Sequence, residues 1–229
     1  MPAEMPSTFP QRRLPESRKA SQGDAQPNRQ RAILLAAEKL FALRGYHAVS
    51  IREIAAEAGV PLALVGYYYG AKQDLYYAIF ESWQGTIDTR LAQLRAATQP
   101  PIADDALERL IASFIGPVVA LHGSPEGQYY ALMAARELAL PTAESDKAQR
   151  EFFDPLAHAY LDALQVLFPG SSRGQVAWCY QFMLGALLHF LSDTRVARLS
   201  KGENQPADPA ATPHLLRFVT AGFRAVLVT

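Results

Sequence analysis

Cysteine is almost missing from this chain: Cys179 stands alone among 229 residues. A single thiol closes no intrachain disulfide and builds no cysteine-based zinc site, a usage that fits a reducing cytoplasm. Net charge is missing as well, because 22 Lys and Arg balance 22 Asp and Glu. No global basic excess therefore advertises a polyanionic partner. No apolar run reaches the roughly 18–20 residues of a membrane span. The most apolar stretch, residues 177–191, is interrupted by Gln181 and His189. The opening MPAEMPSTFPQRR lacks an apolar core, so no signal peptide is expected. The expected location is cytoplasmic, with no membrane partner. There is no strand-like alternation, no internal repeat, no Gly-rich phosphate loop, no paired-carboxylate motif and no nucleophile elbow. An all-helical enzyme is therefore the weakest reading, and no cofactor or metal is expected.

What is present is helical periodicity broken by punctuation. Residues 1–26, rich in Pro, Ser and Gln, read as a disordered arm. Up to Arg31 the chain carries six basic residues against three acidic ones, so this end is locally positive and suited to touch phosphate or a minor groove. A passive tail is the plainer reading. Asn28 is placed to cap a first helix with Ile33, Ala37, Leu40 and Phe41 on one stripe and Gly45 at its end. Ser50, with Glu53 three residues later, forms a capping box for a second helix whose apolar face is Ile51, Ile54, Ala55 and Ala58. Gly59 supplies a tight turn, and a third helix runs from Pro61 or Leu62 to about Tyr69. Such a helix–turn–helix, residues 50–69, lays its second helix in the major groove of double-stranded DNA.

A longer helix is expected over 72–97, with Leu75, Ile79, Trp83, Ile87, Leu91 and Leu94 along one side. Further helices are expected at about 103–122, 126–140, 144–168, 172–199 and 213–228, separated by Pro and Gly clusters and a polar loop at 200–212. The fold class is all-α with about nine helices: a three-helix head over 27–87 and a helical body over 88–229.

The segments ILLAAEKLFALRGY, SIREIAAEAGV and GAKQDL, with the aromatic end of the third helix between the last two, give residues 33–80 a clear resemblance to the DNA-binding domain of TetR-family transcriptional regulators. The body, by helix number and order, is similar to that family's ligand-binding and dimerisation domain. The resemblance implies phosphate contacts from Ser50 and Lys72 and a base-edge contact from Arg52. It implies groove contacts from Leu62, Ala63, Leu64, Tyr67 and Tyr68. Two positions depart from the family pattern. Gly66 stands where Tyr is usual and Tyr68 where His is usual, so Tyr67 and Tyr68 are expected to take over the backbone contacts. The remaining apolar face suits thymine methyl groups rather than bidentate hydrogen bonds.

In the body, the helix after Ser172 is apolar on two sides. Trp178, Phe182, Gly185 and His189 form one stripe, and Val176, Tyr180, Met183, Leu187 and Leu191 another. The last helix repeats the pattern, with Leu216, Val219 and Phe223 on one side and Leu215, Phe218, Gly222 and Val226 on the other. Two faces need two partners: the domain core and a second copy of the chain, in a four-helix interface. The expected regulator is a homodimeric repressor on a palindromic operator, released by a small molecule of unknown identity. A constitutive architectural DNA-binding protein is the alternative.

The residues expected to line an effector pocket are Phe114, Val118, His122, Tyr129, Met133, Arg136, Glu137, Phe153, His158, Trp178 and Phe182. Each has a blander reading. Arg136 and Glu137 make an equally good structural ion pair, the aromatics an ordinary core, and Cys179 a small buried hydrophobe. His122, His158 and His189 lie on three helices without metal-ligand spacing.

Overall fold

The computed structural model describes residues 22–139 and 142–228. Among them there are twelve α-helices and no strand. Residues 1–21 of the expected arm lie outside the described residues. The first helix, α1 (Gln22–Arg44), begins six residues before the expected cap. Asn28 is therefore inside a helix rather than capping one. Gln22, Ala25 and Gln26 are residue types with good helix propensity.

The second helix carries the expected capping box. Ser50 caps α2 (Ile51–Glu57): its Oγ accepts from the Glu53 amide at 3.3 Å, while its own amide donates to Glu53 Oε2 at 2.8 Å. The Arg44 guanidinium donates to the other Glu53 oxygen at 2.8 Å. These contacts, led by the Ser50 hydroxyl, hold the Glu53 carboxyl down at about 2. The turn after α2 closes by two nested amide bonds, Val60 N to Ala55 O at 3.0 Å and Gly59 N to Ala56 O at 3.2 Å. That motif requires a left-handed residue at position 59, and Gly59 adopts φ +64°. α3 (Leu62–Tyr69) then crosses α2 with Ala55 and Val65 buried between them. The Tyr69 hydroxyl ties its far end to α1, donating to Gln30 O at 3.0 Å.

Three of the nine expected helices are interrupted, each for an identifiable reason. The helix over 72–97 breaks at Trp83 (φ −102°, ψ 7°) into α4 (Lys72–Ser82) and α5 (Gln84–Ala97). There the Trp83 indole leaves the helical stripe to donate to Glu38 Oε2 of α1 at 2.8 Å, and Gly85 weakens local helix propensity. The helix over 144–168 is continuous but holds a π turn, Gln149–Phe153, between α8 (Ala143–Ala148) and α9 (Asp154–Leu167). Pro155 has no amide proton for the carbonyl of Glu151 and its ring crowds that carbonyl, so the turn widens. The helix over 172–199 stops at Asp193, giving α10 (Arg173–Ser192) and the short α11 (Val196–Leu199). Asp193 Oδ1 accepts the Arg195 amide at 2.8 Å and so starts a new turn.

α6 (Ala106–His122), α7 (Gln128–Ala139) and α12 (Thr212–Val226) complete the body. Its core gathers Ile87, Leu110, Ile111, Phe114, Tyr160, Leu164, Met183 and Phe223 from α5, α6, α9, α10 and α12. Cys179 is buried in the same core, and burial pushes its thiol up. The head core contains Ile33, Phe41, Ile54, Val65, Leu75, Tyr76 and Phe80, and also Tyr130 and Met133 of α7 and Ala148 of α8. Head and body thus share apolar packing along α4 and α7. No helix is long and apolar enough to cross a membrane, among the described residues.

Candidate nucleic-acid interface and enclosed cavity

The outer face of α3 is a short apolar row. Leu62 is 48% exposed and Tyr67 73%, with Ala63 and Gly66 exposed beside them. No charged side chain stands on this helix. Arg52, also exposed, flanks it from α2. Leu64 and Tyr68 are half-buried and pack against the head core, so only part of their surface is open to solvent. Tyr67 and Tyr68 meet edge to face, ring centroids 5.2 Å apart. Ser50 is exposed at its helix start, but its hydroxyl is engaged by Glu53.

Lys72 opens α4. Its ammonium rests over the Tyr46 ring, 4.1 Å from the centroid, and 5.9 Å from that of Phe41. Burial lowers its pKa, with Glu144 and Glu53 pulling the other way at a distance. No carboxylate lies within 4.0 Å of it among the described residues. The cation is held by aromatic faces alone, a placement that leaves its charge free for an anion.

Of the expected pocket residues, only Phe114, Val118 and Phe153 line the enclosed cavity of the body. That cavity, about 60 Å³, lies between α5, α6, α7, α9 and α10, and its other walls include Ile87, Arg90, Tyr130, Tyr180, Leu184 and Leu187. The remaining candidates are elsewhere. Trp178 and Phe182, 65% and 63% exposed, stack on each other on the outside of α10, because the side of that helix carrying Val176, Tyr180, Met183 and Leu187 is the buried one. Tyr129 and Met133 face the head. So does Arg136, whose Nη1 donates to Ala42 O of α1 at 3.3 Å and whose side chain lies over Gly45. Glu137 is buried, and burial raises its carboxyl while the Tyr76 hydroxyl and Arg136 draw it back. The pair therefore lies where α7 meets the head. His158 is exposed on α9 beside Arg173, and His122 is half-buried with an unpartnered Nδ1. Among the described residues, no three His, Cys, Asp or Glu side chains come together as metal ligands.

Sequence reasoning missed Arg90, Tyr130 and Tyr180. Arg90 had a legible signal. It follows Ile87 by three residues and precedes Leu94 by four, which puts a cation on the buried line of α5.

Tyr130 also connects cavity and head. Its ring stacks on Trp83 (centroids 5.0 Å apart, 16° between planes), and Trp83 bonds Glu38. Glu38 is 2% exposed. Burial, the largest cause, raises its carboxyl above the usual range, and the Trp83 indole and the Tyr130 amide lower it part of the way. A carboxyl whose folded value is raised binds more protons folded than unfolded between the two values. Stability then falls as pH rises from the ordinary carboxylate range through the raised one. Glu38→Gln keeps an acceptor for Trp83 and removes the charge. Thermal melts from pH 4 to 8 should show a flatter profile for the variant and a higher midpoint than wild type at the upper end.

This arrangement defines a helix–turn–helix regulator: a DNA-reading head fused to a helical body. Residues 33–79 match the family described as bacterial regulatory proteins, tetR family, and residues 112–222 match the tetracyclin repressor-like C-terminal domain. The chain belongs to the TetR family of transcriptional regulators. It is 36% identical over 86 residues to the HTH-type transcriptional regulator BetI of Rhizobium meliloti (strain 1021), a match covering 37% of this chain and 42% of that protein. The chain thus spans less than half the length of that relative. Among solved structures it resembles HlyIIR, a hemolysin II transcriptional regulator (TM-score 0.60, 20% identity, 86% of this chain and 97% of that one). It also resembles a TetR-like transcriptional regulator from Rhodococcus sp. RHA1 (TM-score 0.55, 23% identity, 86% and 96%).

Proposed function

We propose that the protein is a homodimeric repressor that holds a palindromic operator through α3 of each copy and releases it when a small molecule enters the body. The observation that carries this reading is the continuous path from cavity to head: Tyr130 on the cavity wall, Trp83 stacked on it at the α4–α5 break, and Glu38 of α1 bonded to Trp83. Any ligand that moves α7 or α5 moves the helix that orients α3. To shift the DNA-binding population from 1:99 to 99:1 it must favour the released state by about 5.5 kcal/mol.

The dimer is supported by the outward stripe of α10 and α12. Trp178, Phe182, Phe218 and Val226 are exposed there, interleaved with Gly185 and Gly222, whose small size lets two helices approach. A two-fold axis through this face would set the two recognition helices about 34–36 Å apart, one turn of DNA. Because α3 carries no charge, affinity falls to the flanking groups Arg52, Lys72 and the helix ends, and selectivity to apolar contact with thymine methyls.

The cavity, about 60 Å³, is well below the roughly 300–1,000 Å³ of small-molecule sites, so an effector must part its walls. The same small volume favours the second reading, a constitutive DNA-binding protein with a filled body.

Lys72→Ala tests the interface. Measured by fluorescence anisotropy over a salt series, it should weaken all duplexes alike and reduce the slope of log affinity against log salt by about one. An unchanged slope removes Lys72 from the phosphate contacts.

A further inference from the structure

Arg90 is the only buried cation among the described residues, at 8% exposure, and it lies on the wall of the enclosed cavity. A buried guanidinium is costly unless it is paired and hydrogen-bonded. Here no carboxylate lies within ion-pair distance among the described residues, and Nε has no hydrogen-bond partner. The support is aromatic, with a hydrogen bond to the Tyr160 phenol. The guanidinium carbon sits 4.6 Å from the centroid of the Phe114 ring. The charge of Arg90 is felt by three phenols, Tyr130, Tyr160 and Tyr180. Burial outweighs Arg90 at each of them and raises their values, Tyr180 to about 12, so all three stay protonated and none is a counter-ion. Tyr160 is further occupied by Ser113, 2.8 Å away, whose hydroxyl donates onward to Leu110 O. The protein thus supplies one fixed positive charge, neutral O–H groups around it, and apolar walls from Val118, Leu184 and Leu188. The component it does not supply is the anion.

We infer that Arg90 is the anchor for the carboxylate of an effector with a single negative charge and an apolar chain or ring, the apolar part lying against Val118, Leu184 and Leu188. This rests on the ligand-responsive reading proposed above. A carboxylate matches the fork of a guanidinium in a bidentate pair, and shielded from bulk water that pair is strong. One charge satisfies one charge. A second anionic group would be buried unpaired, so dianions are disfavoured. Anchoring on α5, two turns after the Trp83 break, places the ligand's pull next to the joint with the head.

The test uses the full chain, a straight-chain series from butanoate to dodecanoate, and benzoate. The matched controls are 1-octanol, octylammonium and benzyl alcohol. Binding is read by titration calorimetry and by thermal midpoint. Octanoate or its homologues should bind, and the alcohol and ammonium of equal length should bind at least about tenfold more weakly, as befits one charge-assisted pair. Arg90→Leu, which removes a buried unpaired charge, should still melt cooperatively and should erase the preference, with octanoate and octanol alike. Arg90→Lys should restore part of it. Equal binding of octanoate and octanol to the wild type, or octanoate affinity unchanged in Arg90→Leu, overturns the anchor. If neutral compounds bind and release operator DNA while no carboxylate does, the anchor falls and the ligand-responsive reading stands. If no compound of either kind binds although operator DNA does, both fall.

Discussion

Gly185→Trp is expected to leave a folded protein that no longer binds a palindromic duplex tightly. Gly185 is exposed on the outer stripe of α10, and a Cβ built on it meets no atom within 4 Å. The substitution therefore leaves the packing inside one copy intact, and any fall in thermal midpoint should trace to the lost partner. Its effect falls on whatever approaches that stripe. In the proposed dimer a large ring there would force α10 of a second copy outward, past the distance at which Trp178, Phe182 and Phe218 would meet their counterparts. With the copies separated, each half-site is held by one recognition helix alone, and the advantage of linked binding, about 10²–10⁴-fold, is lost. Gly185→Glu does the same by another route, setting two carboxylates near one two-fold axis. Analytical ultracentrifugation and mobility shift on the same samples decide the point. A variant that sediments as a dimer and binds as wild type removes this face from the interface.

Phe80→Ala should have the largest effect on stability. Phe80 is fully buried, and its ring meets Tyr76, Tyr130, Phe152 and Phe153, from α4, α7 and the π turn. Truncation opens a cavity where four aromatic groups converge, and the expected loss is about 3–5 kcal/mol. Because those rings join the head to the body, chemical denaturation should also become less cooperative, with the head melting first. A loss below about 1 kcal/mol, a value typical of surface sites, would mean that the rings repack around the void. Destabilisation at an unchanged slope would mean that head and body still unfold as one unit.

The head was legible because each of its local signals agrees with the others. Ser50 and Glu53 cap α2, Gly59 makes the turn, and Ala55 and Val65 fill the crossing. The three helix breaks were less legible. A stripe of Leu75, Ile79, Trp83, Ile87, Leu91 and Leu94 reads as one helix, because periodicity records which side is apolar and not whether the axis is straight. Trp83 breaks the line through a bond to Glu38, 45 residues away in sequence. The cavity was the least legible part. Aromatic and charged residues on the middle helices were expected to converge, yet Trp178 and Phe182 face outward and Arg136 and Glu137 face the head. Helical periodicity gives the faces of a helix without saying which neighbour each face meets. Arg90 carried the sharper signal, a cation on an apolar line, and a charge out of place locates a site better than an aromatic that any core would accept.

The head borrows Tyr130, Met133 and Ala148 from the body to close its own core. A chimera made by cutting at the Trp83 break and grafting residues 22–83 onto another scaffold would leave Phe80 and Trp83 without the Tyr130 ring they pack on. Such a graft would be sticky and half-folded unless the recipient offered a ring in the place of Tyr130. The DNA-reading portion of this chain is thus not a portable cassette. On the proposed reading, exchanging operator specificity is better done by rewriting the exposed row of α3 in place than by transplanting the head.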